Sequence, residues 1–290
     1  MSEKSSHFRL RSSAFERDDD TNKILPKKVI FLSVEGDETE RSYFQNLNEH
    51  LDSAIIQIEV LRHRHGDGYS DPTYVIELLE EYISVRNGDL IPDSLPNEFT
   101  NKYSKDIVQK YLNNDISLTS TDRMQFKEDL LQIGIDLEYR KYLQTFQQDT
   151  DLFAVVLDRD CGSHSRQLMQ YCVDKCTQNG YKCYVTNPCF EFWLLLHLCD
   201  VKSEFSDQEL DALYSNNKIS NRHTKVSYEV SKRACHTKTI SSKKFDEFYY
   251  PNILQAIKNA KKFASTFPDL FDKLGTNVPE LLNILGFTDQ

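Results

Sequence analysis

The sequence predicts an α/β fold: a parallel sheet flanked by helices, with a mainly helical insertion and a basic, mostly helical C-terminal region. Three observations carry this. Residues 29–34 and 152–157 are short, apolar and rich in β-branched side chains, as expected of strands buried on both faces. Each is followed by turn residues and then a segment of helical period, the alternation that builds parallel sheets. No stretch of about 18 apolar residues occurs, so these runs are not membrane spans.

Residues 1–27 are polar and aperiodic, and read as an N-terminal arm. Val29 to Val34, between Lys27-Lys28 and Glu35-Gly36, predicts a central strand. Tyr43, Phe44 and Leu47 then recur at helical spacing behind Thr39-Glu40, so strand passes directly into helix. Ile55 to Leu61 reads as a second strand and Tyr74 to Val85 as a second helix. From Asn87 to about Asp149 the pattern changes: Pro92, Pro96 and several Asn precede a helix over roughly 122–147, an insertion.

Leu152 to Leu157 is the strongest strand, and it runs straight into Asp158-Arg159-Asp160 and Gly162-Ser163. Ser165 to Thr177 predicts a helix, Tyr181 to Thr186 a strand, and Asn187-Pro188 the turn that opens a helix from Cys189 to Leu198. Beyond Ser203 the chain is basic and mostly helical, with Tyr250-Pro251 opening a helix to about Phe263 and a short helical tail ending at Phe287. The expected organisation is an arm (1–27), an α/β domain (28–200) carrying the insertion at about 87–149, and a C-terminal region (201–290) packed on it.

With 290 residues and 39% hydrophobic content the chain can bury a sizeable core. Its N-terminus has no apolar run behind a positive start, so a cytoplasmic location is expected. Seven cysteines form no CxxC pair and their number is odd, which favours reduced thiols. Cys172 with Cys176, His63 with His65 and His197 with Cys199 are loose pairs, poorly spaced for structural zinc.

The net charge of -10 is unevenly spread. Between Asn216 and Ala264 eleven Lys or Arg face three acidic residues, a local +8 that leaves -18 elsewhere. That segment suits phosphate attraction, with Lys225, Lys232, Arg233, Lys243 and Lys244 as nucleic-acid-binding candidates. The competing reading is a solvated basic face.

Ligands of open parallel sheets bind beyond the carboxyl ends of the strands, where Glu35 and Asp158 both fall. Asp158 and Asp160, two apart, are expected to leave the strand on one side and share a hard cation, Mg²⁺ or Mn²⁺. Such an ion removes the repulsion between close carboxylates. Glu40, one turn beyond Gly36, suits a second ion and equally a carboxylate at a helix N-terminus. Glu191 lies in a first helical turn near the same strand ends. Phe190, Trp193, Leu194 and His197 share a face expected to be core, and Asn187 is the better candidate for orienting a ligand.

A Glu after one strand and a DxD after a later one resembles the toprim superfamily. More closely, Val34-Glu35-Gly36-Asp37-Glu38-Thr39-Glu40-Arg41-Ser42-Tyr43-Phe44, then Asp158-Arg159-Asp160, then Asn187-Pro188-Cys189-Phe190-Glu191-Phe192-Trp193 to His197, resemble in order the RloB-like family, toprim proteins of phage-defence loci. The likeness spans about residues 29–198 and thins beyond, where Lys225, Lys243 and Lys244 are the candidates for a catalytic lysine. It implies metal-dependent phosphodiester cleavage, with Glu35, Asp158, Asp160 and Glu191 catalytic and Glu35, Asp158, Asp160 and Glu40 on the metal. RNA (tRNA by analogy) or DNA is the implied substrate. The implied regulator is an ABC- or AAA-type ATPase from a neighbouring gene, since this chain has no GxxxxGK[ST] loop. Two alternatives stand beside it: a non-catalytic metal- or nucleotide-binding subunit of an ATPase complex, and an aspartyl-phosphate hydrolase, which the Cys161-Gly162 continuation disfavours. The acidic insertion suits self-association, partner docking or inhibition.

Overall fold

A computed structural model describes residues 28–36, 38–53, 55–61, 71–86, 101–112, 115–132, 150–235 and 238–288. The polar arm, His63, His65 and residues 87–100 and 133–149 of the insertion lie outside them.

The described sheet runs β2-β1-β3-β4-β5. Its parallel part is β1 (Lys28–Val34), β2 (Ile56–Val60), β3 (Leu152–Asp158) and β4 (Lys182–Asn187). Side chains alternating between two buried faces explain why the middles of β1 and β3 are almost continuously apolar. Ile30, Leu32, Val34, Ala154 and Val156 enter one core, and Val29, Phe31, Val155 and Leu157 enter the core on the opposite face.

Helix α1 (Thr39–Glu49) packs on the first face and α2 (Pro72–Arg86) on the second. The insertion supplies α3 (Lys105–Leu112) and α4 (Ser120–Gln132), which close a small core of their own around Val108, Tyr111, Phe126 and Leu130. The single helix expected over 122–147 is thus described only as α4, with α3 before it. Helix α5 (Arg166–Asn179) starts on the Ser165 hydroxyl, which accepts from Leu168 N–H at 3.1 Å, and ends on left-handed Gly180. It covers the second face.

Helix α6 (Phe190–Leu198) is buried on almost every side, which is why its sequence is apolar without a polar stripe. The chain continues through α7 (Val201–Glu204), α8 (Asp207–Ser215), α9 (Lys225–Ala234) and α10 (Ser242–Lys244). The helix expected from Tyr250 begins instead as a π turn (Phe245–Tyr249) and a 3-10 turn (Tyr250–Asn252). It becomes α11 only over Ile253–Ala260. Pro251 has no N–H to continue a ladder, so the helix restarts behind it.

One element has no counterpart in the sequence reading. β5 (Gly275–Thr276) pairs antiparallel with β4 before α12 (Val278–Ile284). Two residues carry no readable period, and Gly275 is there for contact: a Cβ would lie 2.0 Å from the Ala264 carbonyl oxygen.

From β1 the chain adds β2 on one side and β3 on the other. The connections leaving β1 and β3 therefore part over their carboxyl ends, opening a crevice there. No helix among the described residues is long and apolar enough to cross a membrane.

Candidate functional site

The crevice is pinned by Glu35 and Asp158. Pairing of β1 with β3 extends one residue past the strand, where Glu35 N–H donates to the Val156 carbonyl at 3.1 Å. Asp158 N–H donates to Glu35 Oε2 at 3.0 Å. Asp158 Oδ1 in turn accepts from Phe190 N–H at 2.8 Å, satisfying a donor at the start of α6. Two strands and a helix thus meet on two carboxylates. His164 faces the same pair, with Nε2 3.7 Å from Glu35 Oε1 and Nδ1 3.1 Å from the Asp158 carbonyl.

Beyond Asp158 the chain leaves the extended conformation. Arg159 is buried, and its guanidinium donates to the carbonyls of Phe271 at 2.8 Å and His164 at 2.5 Å. Asp160 is left-handed (φ 24°), and its N–H donates to the Pro188 carbonyl at 2.8 Å. The expected side-by-side exit of Asp158 and Asp160 from one strand is therefore corrected. Asp160 reaches the crevice through a tight turn, its carboxylate accepting from the Ser163 hydroxyl and from Gly162 N–H.

Glu35, Asp158, Asp160 and Glu191 line a cleft of about 570 Å³. Glu40 does not line the cleft: it is buried, 5% exposed, with its carboxylate folded back onto Gly36. Burial, then the charge of Glu191, pushes the Glu40 carboxyl up to about 8; its own N–H, Gly36 N–H and Lys238 pull the other way. Burial also lifts Glu35 to about 8, against the Asp158 N–H bond, with Glu40, Asp160 and Asp71 adding repulsion. Asp158 is raised well above the carboxylate range by burial and by Glu40, Glu35 and Glu191. Carboxyls are crowded here beyond what the fold's own cations neutralise, so they hold their protons to higher pH.

That donor set is the hard oxygen chemistry of Mg²⁺ or Mn²⁺. The carboxylates are nevertheless turned onto backbone N–H groups, and no three His, Cys, Asp or Glu side chains among the described residues are arranged around a metal position.

A family model for RloB-like proteins matches residues 30–285. The chain belongs to the RloB-like family. No curated protein and no solved structure matches it. The RloB-like match continues past residue 198 through β5 and α12, and so includes the basic segment.

In this RloB-like chain the basic residues singled out from sequence do not line the cleft. Lys225 and Arg233 both pair with Glu229, at 2.8 and 2.6 Å, and Arg233 also lies over the Phe205 ring. Lys244 sits over Phe248, while Lys232 and Lys243 are exposed. The cations at the cleft are Lys218, Arg222 and Lys238. Lys218 and Arg222 belong to the loop joining α8 to α9, marked in the sequence by the polar run Ser215-Asn216-Asn217 and Ser220-Asn221.

Asn187 scaffolds the site: its amide donates to the Leu270 carbonyl at 2.8 Å from a fully buried position. His197 is core, as its face indicates, with Tyr43 Oη 3.1 Å from Nε2 and the Trp193 carbonyl 2.9 Å from Nδ1. All seven cysteines are free, Cys172 and Cys176 buried in the second-face core.

Proposed function

We propose that this RloB-like chain is a metal-dependent nuclease that cleaves phosphodiester bonds of RNA, tRNA included, or of DNA. It acts as a toxic cytoplasmic effector in anti-phage defence, held in check by an ABC- or AAA-type ATPase encoded beside it. The observation that carries the reading is the convergence of Glu35, Asp158, Asp160 and Glu191 on one cleft at the strand ends, which Lys218, Arg222 and Lys238 also line.

Bound Mg²⁺ or Mn²⁺ would neutralise charge developing on the phosphate and lower the pKa of a coordinated water. Glu35 and Asp158 would hold it, with Asp160 and Glu40 completing the set. Glu35, freed of its own proton when the ion binds, is the carboxylate that would take one from the attacking water. Glu191 would add a further carboxylate to the cleft, and the three basic side chains would hold the phosphate in place.

The test is incubation of purified chain with RNA and DNA in Mg²⁺ or Mn²⁺, beside Glu35→Gln and Asp158→Asn. In cells carrying the neighbouring ATPase gene, polynucleotide ends are sequenced after phage challenge. New ends with wild type alone support cleavage at this site. The second reading, a non-catalytic metal- or nucleotide-binding subunit, draws on carboxylates that already serve as backbone acceptors. It takes over if both variants behave as wild type.

A further inference from the structure

The loop between α8 and α9 is a built element. Asn216, left-handed (φ 42°), ends α8 while its side-chain oxygen accepts from Val226 N–H at 3.0 Å. Its amide nitrogen points to Cys189 Sγ at 3.3 Å, on the floor of the cleft. Lys218 and Thr224 bridge in antiparallel sense, and the N–H groups of Ile219 and Ser220 both donate to the His223 carbonyl. Ser227 anchors the far end by accepting from Thr224 N–H at 2.9 Å. The loop is thereby held as a small hairpin at the rim.

Its surface carries two chemistries side by side. Lys218 and Arg222 supply positive charge at the cleft. Ile219, 49% exposed, and Tyr228, 43% exposed, supply apolar surface, and the His223 and Tyr228 rings meet edge to face with centroids 6.3 Å apart. Exposed flat surface beside a cationic site needs a partner offering both a phosphate and a bare π face. Along its length a double helix keeps its base faces stacked inward and offers backbone and groove edges. An unpaired strand offers both.

We infer that the hairpin from Asn216 to Thr224, with Tyr228 behind it, grips a single-stranded stretch of polynucleotide: Lys218 and Arg222 take phosphates, and a base rests on the Tyr228–His223 surface. The inference rests on the nuclease reading and names the substrate class of that same site.

The test measures binding of fluorescein-labelled oligonucleotides, single-stranded RNA, single-stranded DNA and a blunt duplex of the same sequence, by anisotropy. The full-length Glu35→Gln chain is used in Mg²⁺ and the wild type in Ca²⁺, so that a folding defect in one is visible against the other. Single strands are expected to bind about tenfold more tightly than the duplex, with Tyr228→Ala losing about tenfold on single strands alone. Tyr228→Phe retains wild-type binding, because the ring and not the hydroxyl does the stacking. Equal or tighter duplex binding, a Tyr228→Ala chain that binds single strands as wild type does, or no binding of any oligonucleotide overturns the inference. Cleavage is scored separately with wild type in Mg²⁺. Single-strand binding without cleavage refutes the nuclease reading and leaves the grip standing, whereas cleavage with a duplex preference does the reverse.

Discussion

A Cβ at Gly36 would lie 1.9 Å from Oε2 of Glu40. The carboxylate occupies the space that the glycine leaves, so the two positions form one unit. Gly36→Ala should drive Glu40 from its seat at a cost of about 1 kcal/mol in stability and lower Mg²⁺-dependent cleavage at least about tenfold. Denaturant melts and initial rates on the same preparations check this. Unchanged rates would remove Glu40 from the site.

Stability should depend on pH through Glu35 and Glu40. Both carboxyls are raised from 4.5 to about 8, so between those values the folded chain holds protons that the unfolded chain has released. Their contribution to stability therefore declines as pH rises from about 4.5 to about 8 and is level on either side. Thermal melts of wild type against Glu40→Gln should diverge across this window, the variant losing less. Added Mg²⁺ should raise the wild-type midpoint more at the alkaline end, because metal binding releases these protons. Parallel profiles for the two chains would contradict the assignment.

Asp158→Asn should separate function from fold. The amide keeps an oxygen to accept from Phe190 N–H, so α6 stays anchored, while a buried negative charge disappears. We expect cleavage to fall by about 100-fold or more, and stability at the alkaline end to rise by about 1 kcal/mol. Turnover and calorimetric midpoint together decide it.

Charge removal at the cleft should differ from charge removal elsewhere in the basic segment. Lys218→Ala with Arg222→Ala should flatten the salt dependence of single-strand binding by about 1.4 units of slope. Lys232→Ala with Lys243→Ala, which remove charges that do not line the cleft, should leave it within error of wild type.

Much of the scaffold was legible because burial on two faces writes a continuous apolar run, and β1 and β3 are of that kind. Glu35, Asp158 and Glu191 were legible because each stands at an element boundary whose partner signal is strong. The remainder depended on contacts. β5 is two residues held by pairing across about 90 positions, so it has no period to read. Asp160 departs from strand geometry because of a bond to the Pro188 carbonyl, which local sequence does not encode. The basic candidates lie away from the cleft for a related reason: counting charge along the chain does not separate Lys225 and Arg233, paired with Glu229, from Lys218 and Arg222 on a loop.

The bond from Phe190 to Asp158 also makes the site visible from outside. Trp193, the one tryptophan of the chain, stands one turn further along α6, fully buried with its ring edge to face against His197 at 4.6 Å. A cation that draws on the Asp158 carboxylate competes with the N–H that holds the start of this helix. The indole is thus an intrinsic fluorophore wired to the carboxylates, and its emission can report occupancy of the cleft in the unlabelled protein, before any substrate is known.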